Sequence, residues 1–185
     1  DSICPDIING TCIDYMHSVL FGLVRRLLSL WFDTKYSNES FSISNCVDVA
    51  DQHLSNIKPP YYIHRHPRSI KEHAKYWKAS ECRTWLFFYS VPVLFRLLKT
   101  EVFQHYLLLV DAIFILNLAS ISNEQVNHSE ELLIKFCSLF STIYGEQHMS
   151  ANLHQLLHLH DNVKQLGPLW VYSCFSFESM NGKLV

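Results

Sequence analysis

A surplus of basic charge is missing from this chain. Its 185 residues carry 15 lysines and arginines against 17 aspartates and glutamates, a formal net charge of −2 with histidine neutral. A protein that grips DNA mainly through phosphates shows a basic excess, so this segment is not expected to be the main DNA-binding surface. Paired cysteines are missing too. Cysteines 4, 12, 46, 82, 137 and 174 include no CxxC. Several fall on apolar faces of helical patterns, where a free thiol behaves as a small hydrophobe. They read as reduced cysteines of an intracellular protein. Three glycosylation sequons, at Asn9, Asn38 and Asn127, matter only in a secreted protein, and nothing else supports secretion.

No apolar stretch approaches the ~20 uninterrupted residues of a membrane span. The nearest candidate, YLLLVDAIFILNLASI, carries Asp111 in mid-run. A helix that is apolar all round is more simply buried in a core, so no membrane partner is expected. The chain lacks an initiator Met and a basic n-region before an apolar h-region. It reads as a segment of a longer protein, so missing targeting signals carry little meaning. No repeat period or low-complexity tract appears. Alternating strand pattern is absent outside Trp170–Ser173, which is brief.

What the chain has is apolar bulk. Hydrophobic residues make up 49% and aromatic residues 14%, too apolar for disorder and enough for one sizeable core. The patterns predict an all-α fold, a multi-helix bundle in one domain over residues 1–185. Residues 1–13 read as a turn-rich lead-in. Asp14 is a good N-cap, and Met16, Val19, Leu20, Leu23, Val24, Leu27, Leu28 and Trp31 recur at helical spacing. Residues 34–45 are Ser/Asn-rich and read as a loop. A short helix over 46–57 is ended by Pro59-Pro60, and 58–68 read as extended. Ser69 with Glu72 forms a capping box for a helix to about Lys78. Ser80 opens the next helix, which Pro92 is expected to kink or break. Thr100 opens a long apolar helix to about Ser120. A second capping box, Ser122 with Gln125, opens a helix to Tyr144, with Gly145 as its stop. Ser150 opens another, ended before Gly167-Pro168. Trp31, Trp85, Phe88, Leu108 and Phe136 are expected in the core.

Four groups of residues bear chemistry. Glu178 lies among Phe175, Phe177 and Met180, and Ser176 reads as the N-cap that puts it in a helical first turn. There the dipole favours a carboxylate, and the plain reading is a first-turn Glu beside an aromatic anchor. Asp14 and His17, at i and i+3, share a helix face. Asp14 then caps the N–H of His17, whose ring sits near the positive helix end. His154 and His158 have the i,i+4 spacing of a helical zinc pair, but residue 155 is Gln, not the Glu a metalloprotease needs. Structural or phosphate contacts are the better reading for them. HRHPRSIKEHAKYWK is the most basic run, with interleaved aromatics. Arg65, Arg68 and Lys71 there, like Arg25 and Arg26, are phosphate candidates or simply a solvated face.

Longer stretches carry a resemblance. FSFESMNGKL, preceded by HQLLHLHDNVKQLGPLW, resembles the C-terminal part of the catalytic region of CACTA-type (En/Spm-like) transposases. The likeness continues upstream through IDYMHSVLFGLVRRLLSLW and YWKASECRTWLFFYSVPVL, and covers Ile13 to Val185 apart from weak similarity around 34–56. Ser176 stands where the family commonly has Pro, and Cys82 where it has an aromatic. Asp14-Tyr-Met-His17 matches the family's Cys/Asp-x-x-His motif. The resemblance implies an RNase H-like DDE transposase, with this chain as its helical insertion and the start of the helix bearing the final Glu. Glu178 is then the catalytic carboxylate and a ligand for Mg²⁺ or Mn²⁺ in the full-length protein, with no metal held tightly by this segment. Asp14 and His17 support the active site. Arg65, Arg68, Lys71 and Lys183 are the residues for DNA contact. Transposon-end DNA is the implied partner, a homo-oligomer is left open, and the nucleus is the implied location. A domesticated, non-catalytic helical interaction module is the alternative.

Overall fold

The computed structural model describes residues 12–58, 61, 63 and 65–175. Glu178 and Lys183 lie outside the described residues. Among the described residues there are seven helices and no strand. None of these helices is long and apolar enough to cross a membrane.

Helix α1 starts where Asp14 caps it. The Asp14 carboxylate accepts the N–H groups of Met16 at 3.3 Å and His17 at 3.0 Å, two of the donors that a helix start leaves unpaired. The first stretch, Met16–Val24, is wound in wide π-helical turns, and Arg25–Phe32 continues as α-helix. The predicted apolar stripe is buried from Met16 to Trp31. Asp33 ends this helix and caps the 3₁₀ turn Thr34–Tyr36 through the Lys35 N–H. A second 3₁₀ turn, Ser44–Cys46, leads into α2, Val47–Asn56. So the 34–45 loop holds two tight turns.

Ser69 Oγ accepts the Glu72 N–H at 3.2 Å, as the capping box requires. Helix α3 is nevertheless short, Ile70–His73, followed by one 3₁₀ turn at Ala74–Tyr76. Asp51 of α2 explains the tight anchoring. Its carboxylate accepts the Ser69 hydroxyl at 2.7 Å and the Ile70 N–H at 2.5 Å.

Helix α4 runs Ala79–Thr84, then Trp85–Tyr89 in π-helical turns, then Ser90–Leu94. The expected break at Pro92 does not occur. Proline lacks an N–H, and its ring crowds the carbonyl one turn earlier. The widened turn lies immediately upstream, with the Ser90 N–H reaching back to the Trp85 carbonyl. A π-turn at that place gives the ring room, and the helix passes through.

Helices α5, Thr100–Leu116, and α6, Asn123–Tyr144, form the most extensive pair in the fold. The Ser122–Gln125 box is complete: Gln125 N–H donates to Ser122 Oγ at 3.2 Å and Ser122 N–H to Gln125 Oε1 at 2.9 Å. Gly145, at φ +92°, stops α6 in a conformation that favours glycine. Helix α7 comprises Ala151–Gln155, the 3₁₀ turn Leu156–His158 and Leu159–Leu166. Residues 170–173 form a turn, not a strand.

The core centres on Trp31, whose ring meets Tyr106 edge-on at 4.9 Å and whose Nε1 donates to the Tyr144 hydroxyl at 3.3 Å. Trp85 and Phe136 are fully buried as expected, and Leu108 is half-buried. Phe88 differs: it is 41% exposed, because the π-turns rotate its position off the inner face of α4.

One buried polar residue predicts a pH response. His105 is 2% exposed, stacks on Phe136 at 4.2 Å, and donates from Nε2 to the Phe136 carbonyl at 2.8 Å. Burial pushes its pKa down to about 4, outweighing the opposing hydrogen bond. The unfolded chain therefore binds the proton more readily, so stability is full above about pH 6.5 and is lost as pH falls toward 4. The expected loss from this group is roughly 3 kcal/mol. Urea unfolding at pH 7 and pH 5 checks it, and His105→Phe should flatten that part of the profile.

Candidate functional site

Two stretches far apart in sequence meet at the start of α1. Asp14 holds four contacts. Oδ1 accepts the N–H of Met16 at 3.3 Å and of Cys174 at 2.9 Å. Oδ2 accepts the His17 N–H at 3.0 Å and lies 2.5 Å from His17 Nδ1. Burial pushes the Asp14 pKa up, but the bonds from Cys174 and His17 outweigh it and hold the carboxyl below its ordinary range. An ionised carboxylate this close to Nδ1 fixes the ring proton there and leaves the lone pair on Nε2. The Asp14 side chain is 19% exposed and that of His17 57%. The expected pairing of Asp14 with His17 is therefore present.

Helix α7 closes the other side. Asn162 Oδ1 accepts the Ile13 N–H at 2.9 Å. Asn152, His158 and Asp161 of α7 face Cys12, Asp14 and His17 across a cavity of ≈ 560 Å³. The rings of His154 and His158 lie edge-on at 5.2 Å, a contact between two exposed rings. Among the described residues, neither belongs to a cluster of three metal-ligating groups. His160 is buried and pins α7 to α6, its Nε2 lying 3.3 Å from Glu130 Oε1.

The basic run is dispersed. Arg65 is exposed and lines a separate cavity of ≈ 470 Å³ with Arg83, Phe88, Phe114 and Phe175. The Arg68 guanidinium holds both carboxylate oxygens of buried Glu81, at 2.8 and 3.0 Å, and donates to the Tyr76 carbonyl. Lys71 Nζ lies 2.8 Å from Asp48 Oδ1 in an exposed pair. Arg25 donates to the Trp77 carbonyl and sits over the Phe21 ring, and Arg26 reaches His148 Nδ1 at 2.7 Å.

Cys174 is the site residue that sequence reasoning missed. Its sulfur, an oxygen of Asp14 and a ring nitrogen of His17 lie within 4.8 Å of one another. A spacing rule reads neighbours along the chain, and no local pattern links 174 to 14. Only its place in the stretch leading to Glu178 could have drawn attention to it. No protein-family model matches the chain, and neither a curated protein nor a solved structure matches it.

Proposed function

We propose that this chain is the helical insertion of a CACTA-type, RNase H-like DDE transposase, and that it carries the third catalytic carboxylate, Glu178. Its substrate is transposon-end DNA, its metal Mg²⁺ or Mn²⁺, and its place of work the nucleus. The observation that supports this reading best is the 2.9 Å bond from the Cys174 N–H to Asp14. It joins the Asp-x-x-His stretch to the segment that reaches Glu178 four residues later, and the resemblance picks out these same two stretches.

Strand cleavage and joining are in-line displacements at phosphorus, for which two divalent ions activate the attacking oxygen and stabilise the leaving one. Such ions take hard carboxylate oxygens. Four of the described aspartates have other tasks. Asp33 and Asp51 cap backbone N–H groups, Asp48 pairs with Lys71, and Asp161 lies beside His160. The resemblance gives Glu178 as one ligand, to be joined by two aspartates on upstream strands. In this reading Asp14 acts as a positioning residue. It holds the ring of His17 and the backbone of Cys174, and so sets where the chain heads toward Glu178.

The test is an excision assay with the complete protein on a plasmid carrying the element's terminal repeats. Metal-dependent excision supports the proposal. Absence of excision, together with upstream strands that lack both aspartates, favours the interaction module. The 185-residue chain alone is expected not to nick DNA in Mg²⁺ or Mn²⁺, since one carboxylate does not assemble a two-metal site. Nicking by that chain, lost on Glu178→Gln, would show the site to be complete within it.

A further inference from the structure

Asp14, His17 and Cys174 bring three kinds of donor to one place: a carboxylate oxygen, an imidazole nitrogen and a thiol sulfur, all within 4.8 Å of one another. A helix cap accounts for Asp14 and orients His17, and the Cys174 sulfur stands beside both. We propose that these three side chains form a zinc site that staples the start of α1 to the segment around Cys174. The proposal shares Asp14 and His17 with the transposase reading but does not depend on it and does not involve Glu178.

The donor set selects the ion. Magnesium and calcium take oxygen ligands, whereas a thiolate with an imidazole suits zinc. Tetrahedral zinc binds nitrogen and oxygen at about 2.0–2.1 Å and sulfur at about 2.3 Å, which puts neighbouring donor atoms roughly 3.3–3.6 Å apart. The His17–Asp14 contact of 2.5 Å must therefore open by somewhat less than ~1 Å. Side-chain rotation of the half-exposed His17 ring supplies that movement. The Cys174 sulfur, within 4.8 Å of the other two donors, must close by no more than about 1.3 Å. The adjoining cavity of ≈ 560 Å³, into which Cys12 also projects, has room for a fourth ligand. Zinc takes the place of the Nδ1 proton of His17, which moves to Nε2 of the neutral ring, and displaces the thiol proton of Cys174 to solvent. Binding releases the thiol proton, so affinity rises with pH.

Two of the ligands sit one helical turn apart, and the third arrives from beyond α7. A metal there joins segments that backbone bonds already bring together, so little rearrangement opposes binding. In contrast, His154 and His158 have the familiar helical spacing but no third donor within reach among the described residues.

Metal titration of the purified chain decides the matter, with zinc measured by mass spectrometry and Co²⁺ as the spectroscopic probe. Expected are one metal per chain and a thiolate-to-cobalt charge-transfer band. Cys174→Ser should abolish the band and weaken zinc binding at least about tenfold, and His17→Ala should weaken it similarly. Cys46→Ser, in the turn before α2, should change neither. Circular dichroism of each variant verifies its fold. Alkylation of the unaltered chain supplies a readout that needs no variant: zinc should protect Cys174 from reaction. Less than one equivalent bound, a band that survives Cys174→Ser, or no protection of Cys174 would each overturn the site. Zinc binding is read on this chain and excision on the complete protein, so the two proposals fail separately.

Discussion

Glu178→Gln in the complete protein is expected to lower excision and strand transfer by orders of magnitude, while folding and DNA-end binding persist. Glutamine keeps the size and much of the hydrogen-bonding capacity of glutamate. It removes the negative charge that a divalent ion requires of its ligand. If Glu178 is only a first-turn helix residue, the loss is the ~0.3–1 kcal/mol of a dipole interaction, and activity is nearly intact. The two outcomes differ by far more than assay error. Glu146 is the control: it is exposed, in the 3₁₀ turn that follows Gly145, and the same change there should be silent. An excision assay on both variants, with a pull-down on terminal-repeat DNA, separates loss of chemistry from loss of binding. Full activity of the Glu178 variant would remove it from the catalytic set.

The second large effect is on stability. Trp31→Ala is expected to cost about 3–5 kcal/mol, the range for removing a large buried aromatic. Trp31 is 0% exposed and joins three helices, touching Tyr106 of α5 and Tyr144 of α6 from its place on α1. Truncation empties the centre of that contact and leaves the Tyr144 hydroxyl without its donor. Set against a total of about 5–15 kcal/mol, the loss should shift the urea midpoint strongly and put a sizeable fraction of weakly stable protein in the unfolded state. Phe114→Ala is the comparison. At 55% exposed it should cost no more than about 0.5 kcal/mol. Equal losses at the two positions would mean that the core is not organised around Trp31.

The helical character of the fold was readable because capping and periodicity act over one or two turns. Ser122 with Gln125, Ser150, Gly145 and the apolar stripe of α1 are all local signals, and each marks the boundary it was expected to mark. The π-turns at Met16–Val24 and Trp85–Tyr89 were not readable. An extra residue in a turn leaves the apolar pattern almost unchanged and answers to packing elsewhere. That is why Pro92 was expected to kink or break a helix that continues through it, and why Phe88 was expected inside. The Asp14–His17 pair was legible, since i,i+3 residues share a face. Its union with Cys174 was not, because tertiary packing alone brings those residues together. Likewise, the basic run from His64 to Lys78 gave no hint that Arg68 is spent on Glu81. Charge counts along a sequence do not reveal which partner each charge meets.

The bonds from Ile13 to Asn162 and from Cys174 to Asp14 have a consequence for ancestry. They bring residues 13 and 14 together with residues 162 and 174 at one spot. If the chain is the insertion proposed above, such a unit can bud from its host fold between two neighbouring strands, which lie only about 4.8 Å apart, without prying them open. Helices can be added, lengthened or lost in the bud while the stem stays fixed. A host accommodates such a graft as it would a long hairpin, and circularly permuted or transplanted versions of the unit remain within reach of evolution.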